Sequence, residues 1–219
     1  MRSLQSALVA AALVGCACFV AASDPPAVQP KADKIGPRRS KADAAPLTEQ
    51  PINELIAALK DPNPSARRQA ATQLGARGAK AAEAVPALVT ALKEDKEPAM
   101  RASAAEALGG IGLAAKAAVP PLLAAFKDAD PLVRETAAEA LADINTDAKT
   151  VVPALVKLLG DNDRDVRCAA CTSLGDFGVA AREAVPELKK MLKDKHPFVR
   201  DAAADALRAI DLAVRKLDS

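Results

Sequence analysis

The chain of 219 residues contains no tryptophan, no tyrosine and only four phenylalanines. Aromatic side chains supply much of the binding energy at compact protein interfaces, and they form the stacking platforms of proteins that bind single-stranded nucleic acid. Their scarcity disfavours both kinds of site. Alanine accounts for much of the hydrophobic half of the composition, which is typical of helices that approach one another closely.

Histidine is nearly absent as well, since His196 is the only one in the chain. One imidazole cannot provide a multi-histidine metal site, and no carboxylate cluster is fixed beside it in the sequence. We therefore interpret His196 as a helix-cap or loop residue. The sequence predicts neither a metal site nor a cofactor.

Cysteine is limited to four residues, two of which form a C-x-x-C motif at Cys168 and Cys171. Redox motifs of this kind usually follow a strand in a thioredoxin-like unit, whereas this one falls inside a predicted helix. We interpret both residues as small buried side chains, with an oxidised pair as the alternative. The sequence also shows no nucleophile–base pair at a catalytic spacing, and we predict that the protein is not an enzyme.

Positive and negative charges are nearly balanced. The whole chain has a net charge of +2, and the part from Pro51 to Ser219 contains 24 basic and 24 acidic residues. A domain that binds nucleic acid through its phosphates normally carries a basic excess. The balance therefore disfavours nucleic acid as a partner.

The N-terminal segment, 1–23, is predicted to be a secretory signal peptide. Arg2 and the amino terminus supply positive charge, residues 7–22 form an uncharged and mostly apolar run, and small residues precede Asp24. A retained membrane anchor is the alternative. The pattern places the protein in the periplasm or outside the cell.

Two cleavage sites are compatible with this segment. Signal peptidase would cut after Ala21-Ala22-Ser23, whereas Leu13-Val14-Gly15-Cys16 resembles a bacterial lipobox, in which the cysteine is acylated and becomes the new N-terminus. The apolar run continues past Cys16, although lipoproteins usually become polar there. The exported protein is thus either soluble or anchored to a membrane through Cys16.

Residues 24–46 contain five prolines among lysine, arginine, aspartate and alanine, without apolar periodicity. This composition predicts a disordered linker. Its basic residues alternate with acidic ones, which favours a solvated spacer over a surface-binding segment.

From residue 47 onward the chain repeats itself at an almost constant interval. Each repeat carries an arginine, an aspartate six residues before it and a leucine seven residues after it. The aspartates are Asp61, Asp95, Asp128, Asp161 and Asp194, the arginines are Arg67, Arg101, Arg134, Arg167 and Arg200, and the leucines are Leu74, Leu108, Leu141, Leu174 and Leu207. Three columns in phase indicate a tandem array, which presents an extended surface rather than a pocket.

Apolar residues at helical spacing predict two helices in each repeat. The repeats fall at about 51–84, 85–118, 119–151, 152–184 and 185–219, within a domain that spans 47–219. Pro86, Pro120, Pro153 and Pro186 are expected early in first helices, and Asn63, Asp130 and Asp163 are expected to cap second helices. Gly75, Gly109 and Gly175 are expected to end second helices.

The repeats resemble the HEAT-repeat superfamily, in the short bacterial form related to phycobilin lyases. The resemblance is carried by the segments AVPALVTALK (84–93), DADPLVRETAAEALA (128–142), VVPALVKLLGDNDRDVRCAACTSLG (151–175) and AVPELKKMLKDKHPFVRDAAADALR (184–208). It implies an all-α fold, a right-handed, armadillo-like α-solenoid of five HEAT-like helix pairs. Such arrays act as scaffolds in many unrelated settings, so fold alone does not assign a function.

The resemblance also implies that the aspartate and arginine columns form a hydrogen-bonded ladder between adjacent repeats. Both columns are complete here, and all ten residues are therefore assigned to structure rather than to catalysis.

In HEAT-like solenoids the second helices line the concave face, and positions one and five after each arginine share a helical face. In this chain these positions carry five acidic residues and one basic residue. We predict a groove that binds a protein partner, with a basic segment as its ligand, through Arg68, Thr72, Glu106, Glu135, Glu139, Thr172, Asp201 and Asp205. A solvated helix face without a ligand is the alternative.

We therefore expect an exported, non-enzymatic scaffold for protein–protein contacts. A chromophore lyase similar to the phycobilin lyases is the alternative from another class, and a structural spacer is a third. Deoxyhypusine hydroxylase-like HEAT proteins bind two irons through His-Glu pairs, and this chain has no such pair. An oxidoreductase function would therefore follow from fold analogy alone.

The lipobox hypothesis predicts that the expressed protein incorporates a labelled fatty acid and that Cys16→Ser abolishes the label. Acyl labelling followed by mass analysis of the N-terminus measures this. Absence of label on the unaltered protein would leave cleavage before Asp24 as the processing route.

Overall fold

The computed structural model describes residues 50–144 and 147–215, apart from the side chain of Arg215. The predicted signal peptide (1–23), Cys16 within it and the predicted linker (24–46) lie outside the described residues. The described part is built from α-helices and 3-10 segments, with no strand within those two ranges.

The helices form five successive pairs, as the sequence predicts. The first helices are α1 (Ile52–Ala58), α3 (Val85–Glu94), α5 (Val119–Ala125), α7 (Ala148–Leu158) and α9 (Val185–Met191). The second helices are α2 (Pro64–Ala76), α4 (Pro98–Ile111), α6 (Pro131–Ile144), α8 (Arg164–Asp176) and α10 (Pro197–Arg215). The pairs stack in chain order, and each second helix packs against the second helices of the neighbouring pairs. The expected all-α solenoid is confirmed.

The second helices begin where the sequence places their caps. The Asn63 side chain accepts a hydrogen bond from the Ser65 N–H at 2.9 Å, and Asp163 accepts one from the Asp165 N–H at 2.8 Å. Asp130 caps α6 in the same way. Glu97 occupies the equivalent position of α4 without forming a side-chain cap, because its longer side chain does not make the local bond that Asn and Asp make.

The second helices extend one or two residues beyond the glycines that the sequence predicts as their ends. Gly75, Gly109 and Gly175 lie inside α2, α4 and α8. The chain instead leaves the helical path at Gly78, Gly112 and Gly178, whose φ angles are 57°, 68° and 52°. Only glycine adopts this left-handed backbone freely, so these later glycines end the second helices and start the 3-10 segments Gly78–Ala84, Gly112–Ala118 and Gly178–Ala184.

Gly75, Gly109 and Gly175 have a different role, which is to let neighbouring second helices approach closely. A Cβ atom at Gly75 would lie 2.9 Å from the Cα of Ala107, and one at Gly109 would lie 2.9 Å from the Cα of Ala140. A Cβ atom at Gly175, the same position in α8, would lie 3.0 Å from the Cα of Ala206. The helix backbones therefore meet directly at these three junctions.

The core runs between the layers of helices. The leucine column is fully buried in its first four members, Leu74, Leu108, Leu141 and Leu174, and the adjacent small-residue column contains the buried Ala71, Ala105, Ala138 and Cys171. Each buried leucine contributes about 1.5–3 kcal/mol, which isolated helices of three or four turns cannot supply for themselves. The last members, Ala204 and Leu207, are only partly buried because the array ends there.

The junction between the third and fourth pairs differs from the others. Helix α7 begins at Ala148 rather than near Val152, which places Pro153 inside the helix instead of near its start. Ala142 stands in the glycine column, and Ser173 faces this junction where α4, α6 and α10 have alanine. The buried Ser173 hydroxyl donates to the Ala138 carbonyl at 3.1 Å, so its polar group is satisfied.

One segment of the array, residues 98–125, is long and apolar enough by composition to cross a membrane. In the fold this segment comprises α4, a 3-10 segment and α5, and it changes direction at Gly112. Met100, Leu108 and Leu122 in this segment are buried in the repeat core, whereas Leu113 is exposed.

The glycine contacts predict that Gly109→Ala destabilises the array. Alanine favours a helix over glycine by about 1 kcal/mol, but the added Cβ would overlap the Ala140 backbone, and overpacking costs about 1–3 kcal/mol. We expect thermal unfolding followed by circular dichroism to show a Tm lowered by a few degrees. Gly160→Ala is the matched control, because its Cβ would meet nothing closer than the Lys157 carbonyl at 3.5 Å. Equal Tm values for the two variants would contradict the contact.

Candidate functional site

The aspartate and arginine columns meet between adjacent repeats. In the central rung, Arg134 Nε donates to Asp161 Oδ2 at 2.9 Å and Arg134 Nη2 donates to Asp161 Oδ1 at 2.8 Å. The third nitrogen, Nη1, donates to the carbonyl of Asp128 in its own repeat at 2.9 Å. Asp161 Oδ1 also accepts the N–H of Asp163 at 2.8 Å. Each rung thus joins a local turn to the next repeat.

The same bidentate geometry recurs in the other inter-repeat pairs. These pairs are Arg67–Asp95, Arg101–Asp128 and Arg167–Asp194, with Nε–Oδ2 distances between 2.7 and 2.9 Å. Planar guanidinium groups match carboxylates in this two-bond arrangement, which fixes orientation as well as distance. The two outermost members of the columns, Asp61 and Arg200, form no inter-repeat pair within the described residues.

Electrostatics favours the charged form of the ladder aspartates. Burial alone would raise the pKa of Asp161, but hydrogen bonds from Arg134 and from the Asp163 N–H, together with the charges of Arg134 and Arg167, lower it below its ordinary value of 3.8. The hydrogen bond from Arg101 lowers the pKa of Asp128 in the same way. Both carboxylates are thus bound by an arginine of the preceding repeat.

The groove residues lie on the second-helix layer. At three of its four junctions this layer has direct contacts at glycine, and surface grooves of about 590 Å³ and 240 Å³ lie between α1 and α3 and between α3 and α5. All eight proposed groove residues are at least partly exposed on the second helices.

Glu106, Glu135 and Glu139, three of the proposed groove residues, form the centre of an acidic cluster on α4 and α6. Burial, followed by the charges of Glu139, Asp165 and Asp163, raises the pKa of Glu135 above its ordinary value of 4.5. Burial and the charges of Asp143 and Glu106 raise the pKa of Glu139. The carboxylates therefore repel one another across two neighbouring helices.

The structure adds two acidic residues that the sequence prediction missed, Asp143 and Asp176. They stand nine residues after the ladder arginines of α6 and α8, one helical turn beyond the positions considered in the sequence. Burial and the charge of Asp143 raise the pKa of Asp176. We use the name acidic cluster for Glu106, Glu135, Glu139, Asp143 and Asp176. None of these five forms an ion pair within the described residues.

The remaining groove residues lie on either side of this cluster. Arg68 and Thr72 are on α2, where the Thr72 hydroxyl donates to the Arg68 carbonyl at 3.1 Å. Asp205 on α10 pairs with Arg208 at 2.6 Å, and Asp201 is exposed one turn before it. Thr172 and Asp205 line a depression of about 340 Å³ between α8 and α10. The structure thus concentrates negative charge at α4, α6 and α8 rather than along the whole groove.

The two cysteines of the C-x-x-C motif are free thiols in α8. Cys171 is fully buried, and burial together with the neighbouring Cys168 raises its pKa to about 12. Burial also raises the pKa of the Cys168 thiol. A raised pKa disfavours the thiolate, which is the nucleophilic form, and this arrangement is that of structural cysteines.

His196 lies in the turn before α10, where its N–H donates to Asp194 Oδ1 at 2.8 Å. Its Nδ1 atom is buried without a hydrogen-bond partner in the described part of the chain. Within residues 50–144 and 147–215, no group of three or more His, Cys, Asp or Glu side chains is arranged to hold a metal ion.

Two protein-family models match the chain, and both describe HEAT-type repeats. HEAT repeats match residues 52–142 and 152–218, and the PBS lyase HEAT-like repeat matches residues 133–161. No curated protein matches the chain in sequence.

Solved structures with the same architecture include natural and engineered proteins. The complex of CpcE and CpcF of phycocyanin lyase from Nostoc sp. PCC7120 aligns with a TM-score of 0.65 and 29% identity, covering 83% of this chain and 74% of that one. An engineered protein aligns with a TM-score of 0.58 and 27% identity, over 74% and 80% of the two chains. A designed armadillo repeat protein in complex with the peptide (KR)4 has a TM-score of 0.58 and 21% identity, over 73% and 81%. At that identity the last likeness shows the fold alone.

The central rung predicts that Arg134→Ala lowers the Tm. The change leaves the partly buried Asp161 without its guanidinium, a loss of about 1–3 kcal/mol, and each kcal/mol corresponds to about 2–4 °C in a domain of this size. Arg200→Ala is the matched control, because Arg200 has the same local bonds and no inter-repeat carboxylate within the described residues. An equal fall in Tm for both variants would show that the local bonds alone matter.

The same pair predicts a pH dependence of the difference in stability. The folded-state pKa of Asp161 is lowered, so its contribution is complete above 3.8 and is lost as the pH falls through the lower folded value. The Tm difference between the unaltered protein and Arg134→Ala should therefore be constant near neutral pH and shrink in strong acid. A difference that persists unchanged in strong acid would contradict this origin.

Proposed function

Since this chain belongs to the HEAT-repeat family, we propose that it is a non-enzymatic scaffold whose second-helix face binds a basic segment of a protein partner. The observation that carries this proposal is the acidic cluster, in which carboxylates on three neighbouring helices influence one another and form no ion pair within the described residues. The HEAT repeats themselves indicate a helical repeat scaffold, so the proposal concerns the ligand that the scaffold binds.

Mutual repulsion in the cluster gives a partner cation a favourable place to bind. Glu139 is affected by Asp143 on its own helix and by Glu106 on the preceding one, and Asp143 in turn affects Asp176 on the following helix. A lysine or arginine side chain placed among them would replace repulsion with attraction on several sides at once. Such charges act mainly on specificity and on the rate of association.

The shape of the surface favours an extended ligand. The acidic residues come from α4, α6 and α8, which are consecutive second helices, so the negative charge runs across the repeats. The chain has few aromatic residues to anchor a compact partner, and a flexible basic segment requires none. Its affinity would come from successive charged contacts and would fall with ionic strength.

Two of the structural neighbours are complexes, and they support a binding role to different degrees because their identities to this chain differ. The CpcE and CpcF structure is a complex of two proteins and shares 29% identity with this chain. The armadillo design holds a peptide of alternating lysine and arginine, but its likeness extends to the fold alone. The basic character of the ligand therefore rests on the carboxylates of this chain.

The N-terminal segment defines where the scaffold would act. Residues 1–23 have the pattern of a signal peptide, so we place the protein in the periplasm or outside the cell. There it is either soluble after cleavage before Asp24 or held at a membrane through acylated Cys16. The partner would then be an exported protein with a basic segment.

A lyase-like function is the second candidate, because the Nostoc neighbour is a phycocyanin lyase complex. The depression between α8 and α10, with Asp176 and Asp205 on its rim, is the place where a small ligand would fit. Incubation with a free bilin and measurement of its absorption spectrum tests this. An unchanged spectrum would exclude bilin binding, whereas a shift abolished by Asp205→Asn would favour the second candidate.

The proposed scaffold function predicts that Glu135→Lys combined with Glu139→Lys weakens binding of a fluorescent lysine–arginine peptide by at least about tenfold at low salt, because attraction becomes repulsion. Fluorescence anisotropy measures the Kd. Because the pKa values of Glu135 and Glu139 are raised, binding by the unaltered protein should begin to weaken on acidification while the pH is still above 4.5.

The matched control is Glu83→Lys combined with Glu183→Lys. It makes the same change of charge at exposed residues of two 3-10 segments, away from the acidic cluster. Binding should be retained in the control. An equal loss of affinity in both double variants, or no loss in either, would contradict the proposed site.

A further inference from the structure

The ends of the ladder differ from its interior in one respect. Every interior rung has a local half, in which the arginine Nη1 donates to its own repeat and the aspartate accepts a main-chain N–H two residues further on. It also has an inter-repeat half, in which Nε and Nη2 donate to the aspartate of the following repeat. Within residues 50–144 and 147–215, each end of the array shows only the local half.

At the C-terminal end, local hydrogen bonds orient the Arg200 guanidinium. Its Nη1 atom donates to the Asp194 carbonyl at 2.9 Å and to the Lys195 carbonyl at 3.4 Å, as in the interior rungs. Its Nε and Nη2 atoms, which bind a carboxylate in the interior rungs, have no acceptor in the described part of the chain.

At the N-terminal end, Asp61 is held ready to accept. Its Oδ1 atom accepts the Asn63 N–H at 2.7 Å, which orients the carboxylate as in the other four aspartates. No guanidinium reaches this carboxylate among residues 50–144 and 147–215. The two ends therefore present the two halves of one rung, with opposite charges.

The apolar surface at the C-terminal end is also incomplete. Leu192 is 41% exposed, whereas Leu92 and Leu159 at the same position of interior repeats are 3% and 4% exposed. Leu207 is partly exposed, although each of the other members of its column is at most 1% exposed. Val185 and Leu207 line an open groove of about 580 Å³ on this end. At most of the corresponding positions in earlier repeats, the following repeat covers the side chain.

A second pair of opposite charges falls at matching positions of the two ends. In the first junction, Ile56 of α1 and Ala87 of α3 line the same groove. The residue of α9 that corresponds to Ile56 is Lys189, and the residue of α1 that corresponds to Ala87 is Glu54. Both are exposed. If a first repeat followed the last one, Lys189 would face Glu54.

We propose that the partner of these ends is a second copy of this chain, bound head to tail. Arg200 of one copy and Asp61 of the next complete a rung, Lys189 lies opposite Glu54, and the first helix of the second copy covers Leu192 and the groove beside Leu207. Each end thereby gains the kind of contact that its own elements make inside the array.

The junction between copies is looser than the junctions inside one chain. Arg208 stands in the glycine column of the last repeat, so the second helices of two copies cannot approach as closely as Gly75 approaches Ala107. Association therefore depends on the first helices and on the ladder, and it is reversible and sensitive to salt. Because the two contact surfaces differ, the contact is heterologous and builds open chains rather than a closed dimer.

Sedimentation velocity over a range of concentrations at low salt tests this proposal. All proteins keep the same native N-terminal segment, so its contribution is equal throughout the set. We expect the unaltered chain to show a mass that rises with concentration. Arg200→Asp and Asp61→Arg, each alone, should weaken association at least about tenfold, because like charges then meet at every junction.

An equimolar mixture of the two variants separates the proposed contact from misfolding. In the mixture, Arg200 of the Asp61→Arg protein meets Asp61 of the Arg200→Asp protein, and the reversed pair forms at the next junction. Association should return toward that of the unaltered chain. Arg164→Asp is the matched control, since it makes the same change at an exposed residue in the middle of the array, and it should leave association unchanged.

Three results would overturn the proposal. The first is an unaltered chain that remains monomeric at every concentration tested. The second is association that Arg200→Asp leaves unchanged or that Arg164→Asp weakens equally. The third is a mixture that stays as dissociated as its two components.

Discussion

Close contact between neighbouring second helices is the constraint on which this structure depends. The helices are short, and none of them buries enough apolar surface alone to remain folded. Gly75, Gly109 and Gly175 allow the backbones of adjacent second helices to touch, and the leucine column then becomes fully enclosed. Stability is therefore a property of junctions rather than of repeats, as expected for a quasi-one-dimensional array.

The arginine–aspartate rungs act at a different place and in a different way. Each rung ties the turn of one repeat to the turn of the next through two parallel hydrogen bonds, so a shift by one residue would break both. The glycine contacts set how close the repeats lie, and the rungs set their register. A rung is complete only when a following repeat supplies the aspartate, which is why the ladder has chemically distinct ends.

Acidic residues in this protein fall into two groups with opposite electrostatics. A ladder aspartate that is bound by an arginine of the preceding repeat has a lowered pKa, as Asp161 has beside Arg134. In the acidic cluster, burial and neighbouring acids raise the pKa values of Glu135, Glu139 and Asp176, and none of these three forms an ion pair within the described residues. The first group joins neighbouring repeats, and the second forms the surface that we propose for binding a partner. The net charge does not show this division, because both groups are counted in the same total of acidic residues.

Sequence alone was sufficient for the architecture and for the assignment of the two columns. The regular interval between the arginines, the helical spacing of apolar side chains and the caps at Asn63, Asp130 and Asp163 are local signals, and the structure has five helix pairs where they indicate. Sequence did not distinguish the two sets of glycines, because a glycine that ends a helix and one that admits a neighbouring backbone look alike in one dimension. It also missed Asp143 and Asp176, since their membership of the acidic cluster depends on contacts between helices.

Sequence by itself thus determined that the chain repeats, that each repeat is a pair of helices, and which residues recur in phase. Tertiary structure decided the distances across the junctions. Those distances show that Gly109 is a contact rather than a stop, that like charges on α4, α6 and α8 affect one another, and that Arg200 and Asp61 are half-rungs. The physical reason is that periodicity is encoded along the chain, whereas close approach, burial and electrostatic interaction depend on residues that are about one repeat apart in sequence.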